Sequence, residues 1–162
     1  MYFLNYGDFD GELFGATYVK LGDKQKNGTL DWSTDIKDYL ETLDDEKVIF
    51  ALDDYFLEKD IDMETFNGID KDLKVVNLCE ASKDNDKKFS ITTQYTLWDR
   101  LTLNDILKQV KTPWDFECEG SQYFNKKGGV SVCIPCLKYP EWSALSSRWK
   151  GVRTYGRDIQ YL

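Results

Sequence analysis

The chain has 162 residues, 41% of them hydrophobic and 15% aromatic, so it can bury a sizeable core as one domain and is not a disordered chain. Its formal net charge of −8 argues against binding to a nucleic-acid backbone, which is itself strongly negative. The sequence contains no histidine, which excludes Ser-His-Asp and Cys-His nucleophile systems as well as histidine-liganded zinc.

The first third of the chain predicts two short strands and a helix. Residues 2–4 and 16–21 have strand character, and turn-forming residues follow each of them. Ser33 is then a predicted N-cap. The helix after it carries apolar residues at helical spacing, namely Ile36, Leu40 and Leu43. We therefore expect one face of this helix to pack against a sheet.

The middle of the chain predicts two strands with a short helix between them. Residues 48–52 are apolar at every position, which is typical of a strand that is covered on both faces. Residues 63–69 predict a short helix with Asp62 as its cap, and residues 73–79 predict another strand. Alternating strands and helices favour an α/β architecture.

The second half of the chain predicts a strand over residues 89–97 and another over residues 130–134. Between them, Thr102 is predicted to cap a helix, with Asp105 at the capping-box position. The apolar residues of this helix are Leu103, Ile106, Leu107 and Val110. The elements together predict a single α/β domain with a mixed, mainly parallel sheet flanked by helices.

We expect one domain over residues 1–162, with an α/β core over residues 1–138 and a C-terminal tail over residues 139–162. The tail is aromatic and locally basic, with Trp142, Arg148, Trp149, Lys150, Arg153, Tyr155 and Arg157. Its cations have two interpretations. They meet a phosphate group or a nucleic-acid strand, or they pair with the acidic body of the protein, which is the commoner fate of such residues.

Two adjacent carboxylates, Asp53 and Asp54, directly follow the predicted strand at residues 48–52. Ligands bind at the carboxyl ends of strands in open α/β sheets. Adjacent carboxylates cannot both be desolvated and charged without a cation, and Mg²⁺ or Mn²⁺ takes oxygen ligands and can bridge to a diphosphate. The alternative is a turn or helix cap that holds no ligand. The residues alone leave both interpretations open.

A second motif combines acidic and aromatic residues, Trp114-Asp115-Phe116-Glu117. A carboxylate beside large aromatic groups can serve as a general base, and an aromatic ring can stack on a sugar or a base. The alternative is a strand whose aromatic residues point into the core while its acidic residues face solvent. A third segment contains Gln94, Trp98 and Arg100, which can contact a polar substrate or simply form a strand and a turn.

The four cysteines do not predict a metal site. Cys133 and Cys136 form a CxxC pair, but Cys79 and Cys118 are not paired in the sequence as the remaining ligands of a structural zinc would be. We therefore expect no zinc and four reduced thiols, as in a cytoplasmic protein. The amino terminus predicts no signal peptide, and no apolar stretch is long enough to span a membrane.

The order of the three motifs carries a resemblance to a known group. An apolar strand with Asp-Asp-Tyr-Phe at 53–56, then Gln-Tyr-x-x-Trp-x-Arg at 94–100, then Trp-Asp-Phe-Glu-x-x-Gly-Ser at 114–121 stand in sequence. This order resembles glycosyltransferase-like proteins with a GT-A-type fold, found in bacteria, phages and large viruses. The resemblance runs from about residue 32 to residue 121, which is roughly half of the chain.

The resemblance implies roles for particular residues. Asp53 and Asp54 look like the acidic element that holds Mn²⁺ or Mg²⁺ on a nucleotide sugar, although the Asp-x-Asp spacing is absent. Glu117 looks like the catalytic base, with Asp115 as the reserve. The substrate-binding residues would be Tyr55, Gln94, Trp98, Arg100 and Trp114. The implied substrates are a nucleotide sugar and a hydroxyl acceptor.

One departure from the GT-A pattern is the segment before the acidic pair. Only about fifty residues precede Asp53, and they do not show the usual nucleoside-binding βαβ opening. The resemblance therefore implies a trimmed GT-A-like domain. Two functions follow as expectations: metal-dependent transfer of a sugar, or capture of a nucleotide-like ligand or a protein partner without turnover. The expected location is the cytoplasm, or the host cytoplasm for a viral protein.

Overall fold

The computed structural model describes residues 2–5, 10–13, 16–21, 32–52, 60–79 and 89–137. The strands are β1 (Tyr2–Asn5), β2 (Gly11–Leu13), β3 (Ala16–Lys20), β4 (Lys47–Phe50), β5 (Val75–Cys79), β6 (Thr96–Asp99) and β7 (Val132–Leu137). The helices are α1 (Trp32–Leu40), α2 (Met63–Asn67), α3 (Arg100–Leu107), α4 (Pro113–Asp115) and α5 (Ser121–Lys126), with a π-helix at Phe116–Gly120 between α4 and α5. The predicted tail over residues 139–162 lies outside the described residues.

The described strands form two sheets. A three-stranded sheet has the order β1-β3-β2, and a four-stranded sheet has the order β4-β6-β5-β7. In the larger sheet β6 is antiparallel to both β4 and β5, and only the β5–β7 pair is parallel. The prediction of a mixed sheet flanked by helices is thus confirmed, whereas the mainly parallel arrangement is wrong. Of the consecutive strands in this sheet, only β5 and β6 are neighbours, and they are antiparallel.

The strand at residues 48–52 differs most from its prediction. β4 covers Lys47–Phe50 and stands at one end of the strand order, with β6 as its only partner among the described strands. Ile49 is 44% exposed, so the strand is not covered on both faces. A short apolar run does not distinguish a central strand from an edge strand, because its exposure depends on neighbours that lie elsewhere in the chain.

The larger of the two buried clusters that the described residues form lies between α1, α3 and the four-stranded sheet. Its aromatic centre is Phe116, whose ring centroid is 5.7 Å from that of Trp98, 5.9 Å from that of Phe50 and 6.1 Å from that of Trp32. The second cluster contains Val76, Leu78, Cys79, Cys136 and Leu137. Neighbouring residues Val75 and Val76 belong to different clusters, as expected for a strand with apolar groups on both faces.

The amphipathic face of α1 is confirmed, since Ile36 and Leu40 are buried. The predicted cap is wrong, because Ser33 lies inside the helix. Its hydroxyl donates a hydrogen bond to the carbonyl of Val110, which ties α1 to the chain three residues after α3. A serine beside an apolar periodic run resembles a cap in sequence, and only the packing of the two helices shows its other use.

The apolar face of α3 is also confirmed, with Leu103, Ile106 and Leu107 buried. Its cap is Asp99 rather than Thr102: the Asp99 carboxylate accepts a hydrogen bond of 2.9 Å from the Thr102 amide. The predicted strand at residues 89–97 is displaced toward the C-terminus, since β6 begins only at Thr96. By contrast, the prediction of a short helix capped by Asp62 is confirmed by α2. No helix among the described residues is long and apolar enough to cross a membrane.

Candidate functional site

The motif at residues 114–117 is helical, which removes the alternative of a strand. Thr112 and Asp115 form a capping box: the Thr112 amide donates to the Asp115 carboxylate at 3.0 Å, and the Asp115 amide donates to the Thr112 hydroxyl at 3.2 Å. Pro113 occupies the first helical turn, where its missing N–H leaves no acceptor unsatisfied. The Asp115 carboxylate is therefore used to start the helix.

The π-helix at Phe116–Gly120 follows directly and carries Glu117. Phe116 is fully buried in the aromatic cluster, and this fixes the turn against the core. The neighbouring Glu117 is only partly buried. π-helical turns are rare and are frequently found at functional sites. The buried ring therefore positions a partly exposed carboxylate one residue further along the chain.

One oxygen of Glu117 accepts three hydrogen bonds from the segment before β6. Its Oε1 atom is 3.1 Å from the Thr92 hydroxyl, 2.9 Å from the Thr93 amide and 2.8 Å from the Thr93 hydroxyl, and all three groups donate. Within the part of the chain that the structure describes, Oε2 has no hydrogen bond. Glu117 thus presents one anchored and one uncommitted carboxylate oxygen.

The same segment is tied to the end of β4. The Leu52 amide donates a hydrogen bond of 3.1 Å to the Thr93 carbonyl. Leu52 directly precedes Asp53, and the metal-binding residues predicted at Asp53 and Asp54 lie outside the described residues, as does Tyr55. Thr93 therefore connects Glu117 to Leu52, the residue directly before the acidic pair.

Ser121 is a second anchor for this segment. Its hydroxyl oxygen accepts hydrogen bonds from the amides of Ser90 at 3.1 Å and Ile91 at 3.2 Å. Ser121 is the last residue of the sequence motif at 114–121, which predicted no role for it. Its spacing of four residues from Glu117 is the available signal, because residues four apart on a helix share a face. Both side chains hold residues 90–93.

Gly120 allows the helix to approach the segment closely. A Cβ atom at Gly120 would lie 3.1 Å from the Ile91 Cδ1 atom and 3.1 Å from the Ile106 Cγ2 atom. Such contacts are tighter than ordinary van der Waals separation, so a larger residue would require these side chains to shift. The absent side chain at Gly120 thus helps to keep the helix against residues 90–93.

The remaining predicted substrate residues lie in different surroundings. Gln94 is half-buried and directly follows residues 90–93, and its backbone amide donates to the Thr92 hydroxyl at 3.2 Å. Trp114 is 78% exposed and lies one turn before Glu117. Trp98 is fully buried against Phe116, so its indole has a packing role in this structure. We therefore do not place Trp98 among the substrate-binding residues.

Arg100 is not brought to Glu117. It begins α3 after the far end of β6, where Asp99 pairs with Lys47, whereas Thr93 lies before β6 near the opposite end of β4. The Arg100 Nε atom donates to the Asp45 carbonyl at 2.8 Å, and one terminal nitrogen donates to the Leu40 carbonyl at 3.2 Å. These bonds give Arg100 a structural use at the end of α1.

The four cysteines are free thiols, of which Cys79 and Cys136 are buried and Cys118 and Cys133 are exposed. The Cys133 thiol donates to the Cys79 carbonyl, with 3.1 Å between sulfur and oxygen. Burial raises the pKa of the Cys79 thiol to about 12, and the neighbouring thiols Cys136 and Cys133 add to the rise. Among the described residues, no group of three or more acidic or cysteine side chains is placed to hold a metal ion.

Comparison with protein-family models, curated proteins and solved structures finds no match to this chain. What the structure contributes is one arrangement, in which Glu117 and the end of β4 are bonded to the same threonine.

Proposed function

We propose that this protein is a metal-dependent, GT-A-like glycosyltransferase that binds a nucleotide sugar and transfers its sugar to a hydroxyl acceptor. The observation that carries the proposal is the hydrogen-bonded connection from Leu52 through Thr93 to Glu117. It brings the candidate base close to the residue that precedes Asp53 and Asp54. The bonds thus link Leu52, the residue directly before the first motif, to Glu117 of the third motif, and this supports a shared active site.

Glu117 has the geometry of a positioned base. Three hydrogen bonds hold Oε1, so the carboxylate cannot rotate freely, and Oε2 is available to accept a proton from an acceptor hydroxyl. As that proton moves to Oε2, the acceptor oxygen forms a bond to the anomeric carbon. As this bond forms, the bond from the anomeric carbon to the diphosphate oxygen breaks, and its electron pair leaves with the nucleoside diphosphate.

The donor set of the acidic pair fits a hard cation. Asp53 and Asp54 supply carboxylate oxygens, which are the ligands that Mg²⁺ and Mn²⁺ prefer. A bound cation would offset negative charge on the departing diphosphate. In the sequence the two aspartates directly follow Leu52, whose amide is bonded to the segment that Glu117 anchors.

Capture of a nucleotide-like ligand without turnover is the second candidate. The same three hydrogen bonds favour it, because they give Glu117 a complete structural use as an anchor of residues 92 and 93. A carboxylate in this position stabilises the segment whether or not it accepts a proton during a reaction. The two candidates differ only in whether product is released.

A thermal-shift titration tests the proposal. We would add Mn²⁺ or Mg²⁺ with a panel of nucleoside diphosphates and nucleotide sugars, since ligand at a hundred times its Kd stabilises a protein by about 2.7 kcal/mol. We expect a metal-dependent shift in the wild type that is lost in Asp53→Asn/Asp54→Asn. The matched control is Asp44→Asn/Asp45→Asn, which makes the same charge change at an adjacent acidic pair that is exposed.

Release of nucleoside diphosphate then separates the two candidates. We expect release by the wild type and little release by Glu117→Gln, although this variant keeps an oxygen acceptor for Thr92 and Thr93. Binding in both proteins with release in neither would favour ligand capture. A wild type that shows no shift with any metal and nucleotide would contradict both candidates and leave the acidic pair a structural feature.

A further inference from the structure

Trp114 is an exposed aromatic residue in a protein that buries other large rings. It is 78% exposed, whereas Trp98 is fully buried and Trp32 packs against the core. An indole in water leaves a large apolar surface unused for folding. Its surface is therefore available to another molecule.

The backbone at Trp114 is held firmly. Trp114 follows Pro113 and lies inside the capping box formed by Thr112 and Asp115, and the next residue but one is the fully buried Phe116. The main chain at this position is thus fixed on both sides. A ring on a fixed backbone loses less conformational freedom on binding than a ring on a loop.

A carboxylate oxygen lies one turn away. Glu117 follows Trp114 by three residues and lies in the π-helical turn that directly continues α4, so the two residues are about one helical turn apart. The Oε1 atom of Glu117 is held by Thr92 and Thr93, while Oε2 has no hydrogen bond from any described residue. The surface therefore combines an apolar ring with a fixed hydrogen-bond acceptor.

We propose that Trp114 and Glu117 form a binding site for a sugar ring, so that the acceptor is a carbohydrate. A pyranose has an apolar C–H face that stacks on an indole and hydroxyl groups at its rim that donate to a carboxylate. A lipid alkyl chain would use the indole but leave the carboxylate without a partner. The inference rests on the proposed function and specifies the hydroxyl acceptor of that transfer.

Saturation-transfer NMR tests this site directly. The probes are the methyl glycosides of glucose, galactose, mannose, N-acetylglucosamine and rhamnose, each without metal or nucleotide. We expect saturation on the C–H face of at least one sugar. Trp114→Ala should weaken this binding by about threefold to tenfold, and Trp114→Phe should retain part of it because the phenyl ring still stacks.

Control variants separate this site from general surface effects. Leu101→Ala removes another exposed apolar side chain, at the start of α3, and should leave sugar binding unchanged. Glu117→Gln removes the charge but keeps the Oε1 acceptor, and should weaken sugar binding without unfolding the segment. Equal binding by the wild type and Trp114→Ala overturns the inference.

Different results would overturn the carbohydrate site and the proposed transferase function. A wild type that binds nucleotide with metal but gives no signal with any sugar overturns the carbohydrate site alone. A wild type that binds a sugar through Trp114 but no nucleotide supports the site and contradicts the proposed transferase. Binding that persists in Trp114→Ala places the sugar elsewhere and also overturns the inference.

Discussion

The amide of Leu52, which lies two residues beyond the last paired residue of β4, donates a hydrogen bond of 3.1 Å to the carbonyl of Thr93. This bond extends the contact between the β4 and β6 segments past the regular ladder. Thr93 also donates its amide and hydroxyl to Glu117. A single buried threonine therefore links the strand end that precedes the acidic pair to the helical turn that carries the candidate base.

Replacement of Glu117 should separate its anchoring role from its charge. Glu117→Ala leaves the buried Thr93 amide and hydroxyl without their acceptor, which should lower the free energy of unfolding by about 2 kcal/mol. Glu117→Gln keeps an oxygen acceptor and should cost about 1 kcal/mol or less. Urea denaturation measures both. Glu119→Ala, at an exposed neighbour, is the control, and a loss equal to that of Glu117→Ala would contradict the anchor.

Replacement of Gly120 should also disturb the contact between this helical turn and residues 90–93. Gly120→Ala places a Cβ atom 3.1 Å from Ile91 and from Ile106, so we expect a loss of about 1–3 kcal/mol through overpacking. Gly68→Ala is the matched control, because its nearest contact would be an ordinary 3.4 Å to the Thr65 carbonyl oxygen. Thermal denaturation compares the two. Equal stability of both variants would show that the side chains of Ile91 and Ile106 can shift without loss of stability.

Asp99 should contribute to acid sensitivity. Burial raises the pKa of its carboxyl, but hydrogen bonds from Thr102, together with Lys47 and Lys74, outweigh this, and the net pKa is lowered. Below about pH 4 the unfolded chain therefore takes up this proton before the folded protein does. The stability that the ionised group contributes is present above that pH and is lost as the pH falls through the lower folded value.

The variant Asp99→Asn tests this pH dependence. Asparagine keeps a side-chain oxygen for the Thr102 amide, so the cap should largely remain, whereas Asp99→Ala should cost about 1 kcal/mol at neutral pH. We expect the free energy of unfolding of Asp99→Asn to fall less steeply than that of the wild type between pH 4 and pH 2. Parallel curves for the two proteins would show that the Asp99 charge has no part in acid sensitivity.

The thiols should divide into two reactive and two protected groups. Cys118 and Cys133 are exposed, whereas Cys79 and Cys136 are buried, and burial raises the pKa of both buried thiols. Because the thiolate is the reactive form, iodoacetamide at pH 8 should label Cys118 and Cys133 well before the others. Mass spectrometry of the digested protein locates the label. Rapid native labelling of Cys79 would contradict its burial.

The sequence predicts the apolar faces better than the starts of helices. Ile36 and Leu103 lie on periodic patterns that determine which side of a helix is buried. The caps at Ser33 and Thr102 were predicted wrongly, because several residues near a helix start can accept a hydrogen bond from its amides. Their actual partners, Val110 and Asp99, depend on packing and on where the preceding strand ends.

The candidate site is likewise only partly predictable from the sequence. The carboxylate of Glu117 is visible in sequence as part of an acidic motif, but its attachment to Thr93 spans distant segments and leaves no periodic signal. The helical start at Thr112-Pro113-x-Asp115 has the spacing of a capping box, with proline in the first turn. That local signal would have identified the helix that carries Trp114 and Glu117.

The parallel pairing of β5 with β7 has a consequence for how the chain folds. Val76 pairs with Val132, so the chain must close a long loop that includes β6, α3 and α5 before this ladder forms. Long-range contacts of this kind slow folding, because the entropy of closure is lost before the pairing is gained. β7 should therefore join the sheet last, and its amides should gain protection from hydrogen exchange later than those of α3 during refolding.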